Sequence, residues 1–163
     1  MREIVLRKSD EMRSVVEPAL AQLASRLNQI LPGVKVEHIG ATAIPGALTK
    51  GDLDVALRVP ARQFGEAVEV LKKSFSIKQH ENWTPEFASF GDDSGYPMPV
   101  GVQISVEDSK SDFLVFLRDY LIANPSALVE YNDLKRQSFR LGWTSYWQAK
   151  DRFLARVLSS RTK

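Results

Sequence analysis

The stretch HIGATAIPGALTKGDLDVALRV, residues 38–59, decides how the rest of the chain is read. Val34 to Ile39 leads into it as an extended apolar run, and GATAIPGALTKG is rich in turn-forming residues. DLDVALRV, residues 52–59, then alternates with period two. Leu53, Val55, Leu57 and Val59 fall on one face, and Asp52, Asp54, Ala56 and Arg58 on the other. This is the pattern of a half-buried strand that carries two acids on its open side.

Outward from that centre the apolar period changes to that of helices. Between Ser9 and Leu31, Val16, Leu20, Leu23 and Leu27 recur at three- and four-residue steps, the spacing of one helical face. Pro18 fits only a first helical turn, so the regular helix is expected to begin near Glu17 or to kink there, and Pro32-Gly33 ends it. Phe64, Val68, Leu71 and Phe75 mark a second helix. Ser76 to Pro99 mixes aromatic residues with Gly, Asp and Pro, and is expected to form short strands joined by a long loop, a possible lid. VGVQISVE, residues 100–107, alternates again, with Gly101, Gln103, Ser105 and Glu107 on the polar face.

The remainder reads as three helices. The first carries Phe113, Phe116 and Tyr120 and stops at Asn124-Pro125, because the residue before proline avoids the α region. Leu128, Tyr131, Leu134 and Ser138 mark the second, which ends near Gly142. The third is expected to be capped by Thr144, with Tyr146, Lys150, Phe153 and Val157 along one side. The order implies an α+β fold, a small sheet covered by helices. A chain of 163 residues fits one domain, residues 1–163, with residues 1–107 mainly the α/β core and 108–163 a helical tail.

Composition narrows the function classes. The absence of cysteine excludes disulfides, zinc ribbons, iron–sulfur clusters and thiol nucleophiles, and only His38 and His80 offer imidazole. A metal here is expected to be a hard ion held by oxygen. No run approaches the ~20 apolar residues of a membrane span, and the charged start MREIVLRKSDEMR is unlike a secretory leader, so a cytoplasmic protein is expected. Residues 1–117 carry a net charge of −3 and residues 118–163 of +5. A basic tail suits a polyanion such as a nucleotide or RNA, although solvated helix faces yield the same count.

Asp52 and Asp54 are the candidate metal-binding and catalytic acids. Two carboxylates two residues apart on a strand point to the same side. Charges ~5 Å apart at an effective dielectric of ~20 repel by about 3 kcal/mol, which a divalent cation relieves. Magnesium prefers such carboxylates together with substrate phosphates, and it can align a hydroxyl with a phosphorus atom. The plain alternative is two solvated acids on a sheet face.

Gly40-Ala41, ten further residues and then acid–hydrophobic–acid–hydrophobic resemble the signature of the nucleotidyltransferase fold of DNA polymerase beta and its relatives. HIGATAIPG is similar to the HIGSTSVPG-type block of the GrpB-like family within that superfamily. FLRDYLIANPSALVEYNDLK, residues 116–135, and YWQAKDRFL, residues 146–154, resemble two further blocks of the same family in the same order. The resemblance implies a small mixed sheet with the helical tail packed beside it. It also implies a phosphate-facing turn at Gly40, Ala41 and Thr42, with Lys50 near the phosphates and magnesium on Asp52 and Asp54. Arg118, Tyr131, Lys135 and Lys150 would add nucleotide contacts from the tail. Tyr131 and Lys135, like Tyr146 and Lys150, lie one turn apart, so each pair can present a ring and a cation together; alternatively the tyrosines complete the core while the lysines snorkel.

Two departures stand out. Ala41 replaces the serine of the signature, and no ionisable residue occupies positions 101, 103 or 105, where a third carboxylate would sit; Glu107 lies near the strand end. His38 reads either as a hydrogen-bonded structural residue or as a functional one, His80 as a surface residue, and Asp92-Asp93-Ser94-Gly95 as a turn. Trp143 and Trp147 read as helix-packing residues. The implied activity is magnesium-dependent transfer of a nucleotidyl group from a nucleoside triphosphate to a hydroxyl acceptor. The alternative is an inactive nucleotide- or RNA-binding protein of the same fold.

Overall fold

A computed structural model describes residues 5–162 and, within them, leaves the side chains of Ser138, Phe139, Trp143 and Thr162 undescribed. The expectations placed on Ser138 and Trp143 therefore lie outside the described side chains.

The chain opens with a short strand β1 (Arg7–Lys8) and helix α1 (Ser9–Ile30), followed by β2 (Val36–Ile39). A 3-10 turn at Ala41–Ala43 leads to β3 (Leu48–Thr49), which pairs with β1, and then to β4 (Leu53–Val59) and α2 (Ala61–Ser74). β5 (Ser76–Lys78), β6 (Phe87–Asp92) and β7 (Val100–Val106) complete the sheet, and α3 (Leu114–Ala123), α4 (Pro125–Leu141) and α5 (Trp143–Ser159) form the tail. The five-stranded sheet runs β2-β4-β7-β6-β5, with β4 and β7 parallel and the other pairs antiparallel. The mixed α/β architecture agrees with the sequence reading.

Alternation decides the two faces. Leu53, Val55 and Leu57 pair with Val100, Val102 and Ile104 on one side, where Leu23 and Leu27 of α1 and Leu71 of α2 bury them. Asp54 pairs with Gly101 and Ala56 with Gln103 on the other. A second apolar cluster of Ile44, Ala47, Leu121, Tyr131, Phe153 and Val157 ties the tail to the turn after β2. The glycine-bearing turn, the acid-bearing strand and the tail therefore meet on the face that α1 and α2 leave open.

Three local expectations are corrected. α1 begins at Ser9, about two turns before Glu17, and stays helical through Pro18, because Val16, Ala19, Leu23 and Leu27 are all buried against the sheet and hold the turn in which proline forfeits a hydrogen bond. Ser76–Pro99 is not a long lid. The short strands expected there are β5 and β6, and both belong to the sheet, with Ala88 and Phe90 buried in the core opposite Ile104 and Val102. The residual loop is tied by Asp92, which accepts from the amides of Ser94 and Gly95 and from Arg26, as expected for a turn. α5 begins at Trp143 after Gly142, whose φ of +98° makes the corner, so Thr144 is not its cap. Among the described residues no helix is long and apolar enough to cross a membrane.

Candidate active site

Asp54 sits between two glycines. Gly40, at φ +75°, ends β2 and turns the chain into the 3-10 segment, and a Cβ there would stand 2.9 Å from Asp54 Oδ2. A Cβ on Gly101, the register partner of Asp54, would stand 2.4 Å from Oδ1. The carboxylate thus fills space that only hydrogen atoms leave open on both sides. Asp52, just before β4, opens onto the same cleft, and Lys50 Nζ lies 3.7 Å from its Oδ2.

The tail closes the cleft with cations and rings. Tyr131 and Lys135 come from α4, and Tyr146, Trp147 and Lys150 from α5. Lys135 is only 5% exposed, donates to the Leu48 carbonyl at 2.6 Å and lies 4.3 Å from the Tyr131 ring centre. Lys150 Nζ stands 5.0 Å from the Trp147 ring. Tyr131 stacks on Phe153 with ring centres 5.0 Å apart, so it serves the core and the cleft wall together.

Burial and like charge shift several ionisable groups of the cleft. Burial, and then the neighbouring Asp52, push the Asp54 carboxyl up to about 6. Burial together with Lys150 and Lys50 brings Lys135 down to about 7, and burial also lowers Lys150. Burial raises the Tyr146 hydroxyl, with Asp52 acting in the same direction. Three ammonium groups against two carboxylates leave the cleft net positive when all are charged. An anion with an accompanying cation would relieve both sets of strains.

The cleft has two lobes that share Asp54. A polar lobe of about 270 Å³ holds Lys50, Asp52, Lys135 and Tyr146. An apolar lobe of about 420 Å³ is walled by Ile39, Phe87, Phe113, Leu114, Leu117 and Leu121. Gly40, Ala41, Gln103, Trp147 and Lys150 border both.

Of the candidates from the sequence, Gly40, Ala41, Lys50, Asp52, Asp54, Tyr131, Lys135 and Lys150 line the polar lobe. Thr42 does not reach it. Its hydroxyl donates to the Asp52 carbonyl at 3.2 Å and takes a hydrogen bond from His38 Nε2 at 2.9 Å, so it braces the turn from behind. His38 accordingly serves as the structural histidine, and burial lowers its pKa. Arg118 lies in the apolar lobe with its guanidinium held by Glu37 at 2.7 Å and the His38 carbonyl at 2.9 Å. Glu107 is exposed beyond the end of β7, six positions from the partner of Asp54, and adds nothing to the site. His80 is exposed, as expected.

Trp147 corrects the packing expectation. It is 42% exposed and borders both lobes, and its place one residue after Tyr146 was the available signal. Gln103 and Gln79 also face the cleft. Gln103 could be found from its parity with Gly101, whereas Gln79 depends on a left-handed turn (φ +45°) that no sequence pattern marks.

Asp52 and Asp54 suit magnesium as a donor set. They supply hard oxygens on one side of a cleft wide enough for phosphate and water to provide the rest. Among the described residues no group of three or more acids, histidines or cysteines converges, so the protein alone offers this ion a partial shell.

Comparison with known proteins gives the family and the fold. A UPF0157 protein of Vibrio cholerae is 33% identical over 154 residues, covering 93% of this chain and 80% of its own. The crystal structure of the conserved protein GrpB from Enterococcus faecalis superposes with a TM-score of 0.69 at 20% identity, over 91% of this chain and 96% of that one. The Cid1 poly(U) polymerase with MgGTP bound gives a TM-score of 0.54 at 16% identity, over 80% of this chain and 43% of that one. The fold is therefore that of the nucleotidyltransferases. The family model described as GrpB protein matches residues 11–160, and the chain belongs to the GrpB family.

Proposed function

We propose that the protein is a magnesium-dependent nucleotidyltransferase that moves a nucleotidyl group from a nucleoside triphosphate to a hydroxyl acceptor. The observation that carries this reading is the Asp52–Asp54 pair, held beside the Gly40 turn at the mouth of a lysine-lined lobe. Lys50, Lys135 and Lys150 would bind the β- and γ-phosphates, and the backbone of Gly40 and Ala41 approaches the chain of phosphates closely because no bulky side chain intervenes. Trp147, which borders the lobe and is 42% exposed, offers a ring beside them. Bound to Asp52 and Asp54, magnesium would neutralise the acids and the developing phosphoryl charge. Since lysines outnumber these acids, the ion is expected to arrive with the triphosphate rather than alone.

The reading is tested by thermal unfolding with ATP, GTP, CTP and UTP, with and without magnesium. Magnesium alone should leave the melting temperature unchanged, while a magnesium–triphosphate complex should raise it. Asp52→Asn should abolish the rise. No response to any of the four would refute the reading.

Gln103 favours a second reading, nucleotide binding without turnover, because a neutral amide lies where a third acid would otherwise face the cleft. Incubation with α-labelled triphosphate and cell extract separates the two. Label on an acceptor supports the transferase, and binding without transfer supports the binder.

A further inference from the structure

We propose that the apolar lobe beside Asp54 is the acceptor site, and that the acceptor is a small molecule with an apolar body and a hydroxyl group, not a nucleic-acid strand. The inference rests on the transferase reading and extends it to the second substrate.

In-line displacement at phosphorus decides which lobe does what. The acceptor oxygen forms its bond to the α-phosphorus while the bond from that phosphorus to the α,β-bridging oxygen breaks. Pyrophosphate leaves with the electron pair, and the hydroxyl proton is lost to water. Attacking and leaving oxygens lie on opposite sides of the phosphorus. Lys50 and Lys135 line only the polar lobe, so the leaving pyrophosphate belongs there. Asp54 borders both lobes and marks the reacting phosphorus. The hydroxyl must then enter from the other direction, which is the apolar lobe.

The walls of that lobe define the acceptor. Phe87, Phe113, Leu114, Leu117 and Leu121 form an apolar lining, and about 420 Å³ suits a small ligand. Gln79, Asn82 and Gln103 supply amides for a few polar groups. Its one arginine, Arg118, is already paired with Glu37 and Asp119, and its one lysine, Lys150, is shared with the polar lobe, which leaves little charge for a phosphate backbone. Apart from Arg118 and Lys150, no cation of the tail lines this lobe among the described residues. Arg136 pairs with Asp133, Arg156 with Glu130, and Lys135 is buried in the polar lobe. Recognition of a strand by cation–phosphate contacts would need those groups free.

The test is isothermal titration calorimetry with 1-naphthol, an apolar molecule bearing one hydroxyl. It is run on the full protein alone and saturated with magnesium α,β-methylene-ATP. The expected result is 1-naphthol binding in both states with affinities within about threefold, and at least tenfold weaker binding to Leu114→Trp, which plugs the lobe. Leu114→Ala, which cannot plug it, and the nucleotide-induced melting shift of both variants show that the fold is intact. Failure of 1-naphthol to bind the wild type overturns the proposal. So does competition with the nucleotide, which would assign the lobe to the base, and so does displacement by a 15-residue oligouridylate. Binding of 1-naphthol without binding of any magnesium–triphosphate refutes the transferase reading, and with it the acceptor role, but leaves the lobe as a ligand site.

Discussion

Gly101→Ala is the sharpest single perturbation of the site, because it adds one methyl group and removes nothing. The new Cβ would stand 2.4 Å from Asp54 Oδ1, and relief to an ordinary contact of about 3.4 Å requires the carboxylate to move by about 1 Å. The φ of Gly101 is not positive, so alanine suits the strand backbone and slightly favours it, by about 0.5–1 kcal/mol. This gain offsets part of the steric displacement, and the free protein should melt close to wild type. Magnesium demands near-ideal octahedral geometry, and disturbing how a ligating carboxylate is held costs up to about 100-fold in metal affinity. At a nucleotide concentration about 100 times the wild-type Kd, binding stabilises by about 2.7 kcal/mol. That is about 5–11 °C for a chain of this size. A hundredfold loss leaves about 0.4 kcal/mol, or a shift of about 1 °C. Differential scanning fluorimetry with and without magnesium reads both numbers. A full magnesium-dependent shift in the variant would refute the claim that Asp54, in this position, holds the ion.

Asp54→Asn should stabilise the free protein while abolishing the nucleotide shift. A carboxyl raised from 3.8 to about 6 costs up to about 3 kcal/mol at neutral pH, and the amide should recover about 1–2 kcal/mol in chemical denaturation. Because the folded state binds the proton more tightly than the unfolded chain, the penalty grows as pH rises from about 4 through about 6, and the variant's advantage should disappear by about pH 4. Arg58→Met should cost about 2–3 kcal/mol in the same assay, since it strips two 2.7 Å hydrogen bonds from the buried Asp112. Burial opposes ionisation of Asp112, yet Arg58 and the Asp108 amide draw its pKa below the ordinary value, so this contribution should be lost as pH falls below about 4. Pro18→Ala should raise stability by about 1–2 kcal/mol by restoring a helical hydrogen bond, net of the extra freedom of the unfolded chain; unchanged or lower stability would show that proline is not a burden there.

How much of this was legible in the sequence follows from how local each signal is. The period-two runs at 53–59 and 100–106 placed both central strands, since alternation is a property of a single segment. Short strands were expected within Ser76–Pro99, but the bounds of β6 were not, because Gly91 and Asp92 look like loop residues; the strand is fixed where Ala88 and Phe90 are buried on β7, a contact made across the chain. Pro18 misled for the same reason, since tertiary burial outweighs a local preference. In the cleft, the acids and the turn glycine were placed by motif and spacing, and the lysines by the family resemblance. Thr42, Arg118 and Trp147 were misjudged because their parts depend on partners far along the chain: the Asp52 carbonyl, Glu37 and the shared border of the two lobes.

The same geometry bears on the missing third acid. In parallel register with β4, β7 places Gly101 beside Asp54, Gln103 beside Ala56 and Ser105 beside Arg58. Position 101 is closed to any side chain, because the Asp54 carboxylate occupies its space. Ser105 is buried, and Glu107 lies outside the cleft. Gln103 is thus the one β7 side chain on this face that borders both lobes, and its neutrality has an electrostatic consequence. When all of these groups are charged, an acid there would equal the three lysines and cancel the positive balance that the proposed triphosphate needs. Under the proposed transferase reading, the amide would let the protein supply counter-charge for the phosphates and would leave the rest of a metal shell to the nucleotide itself.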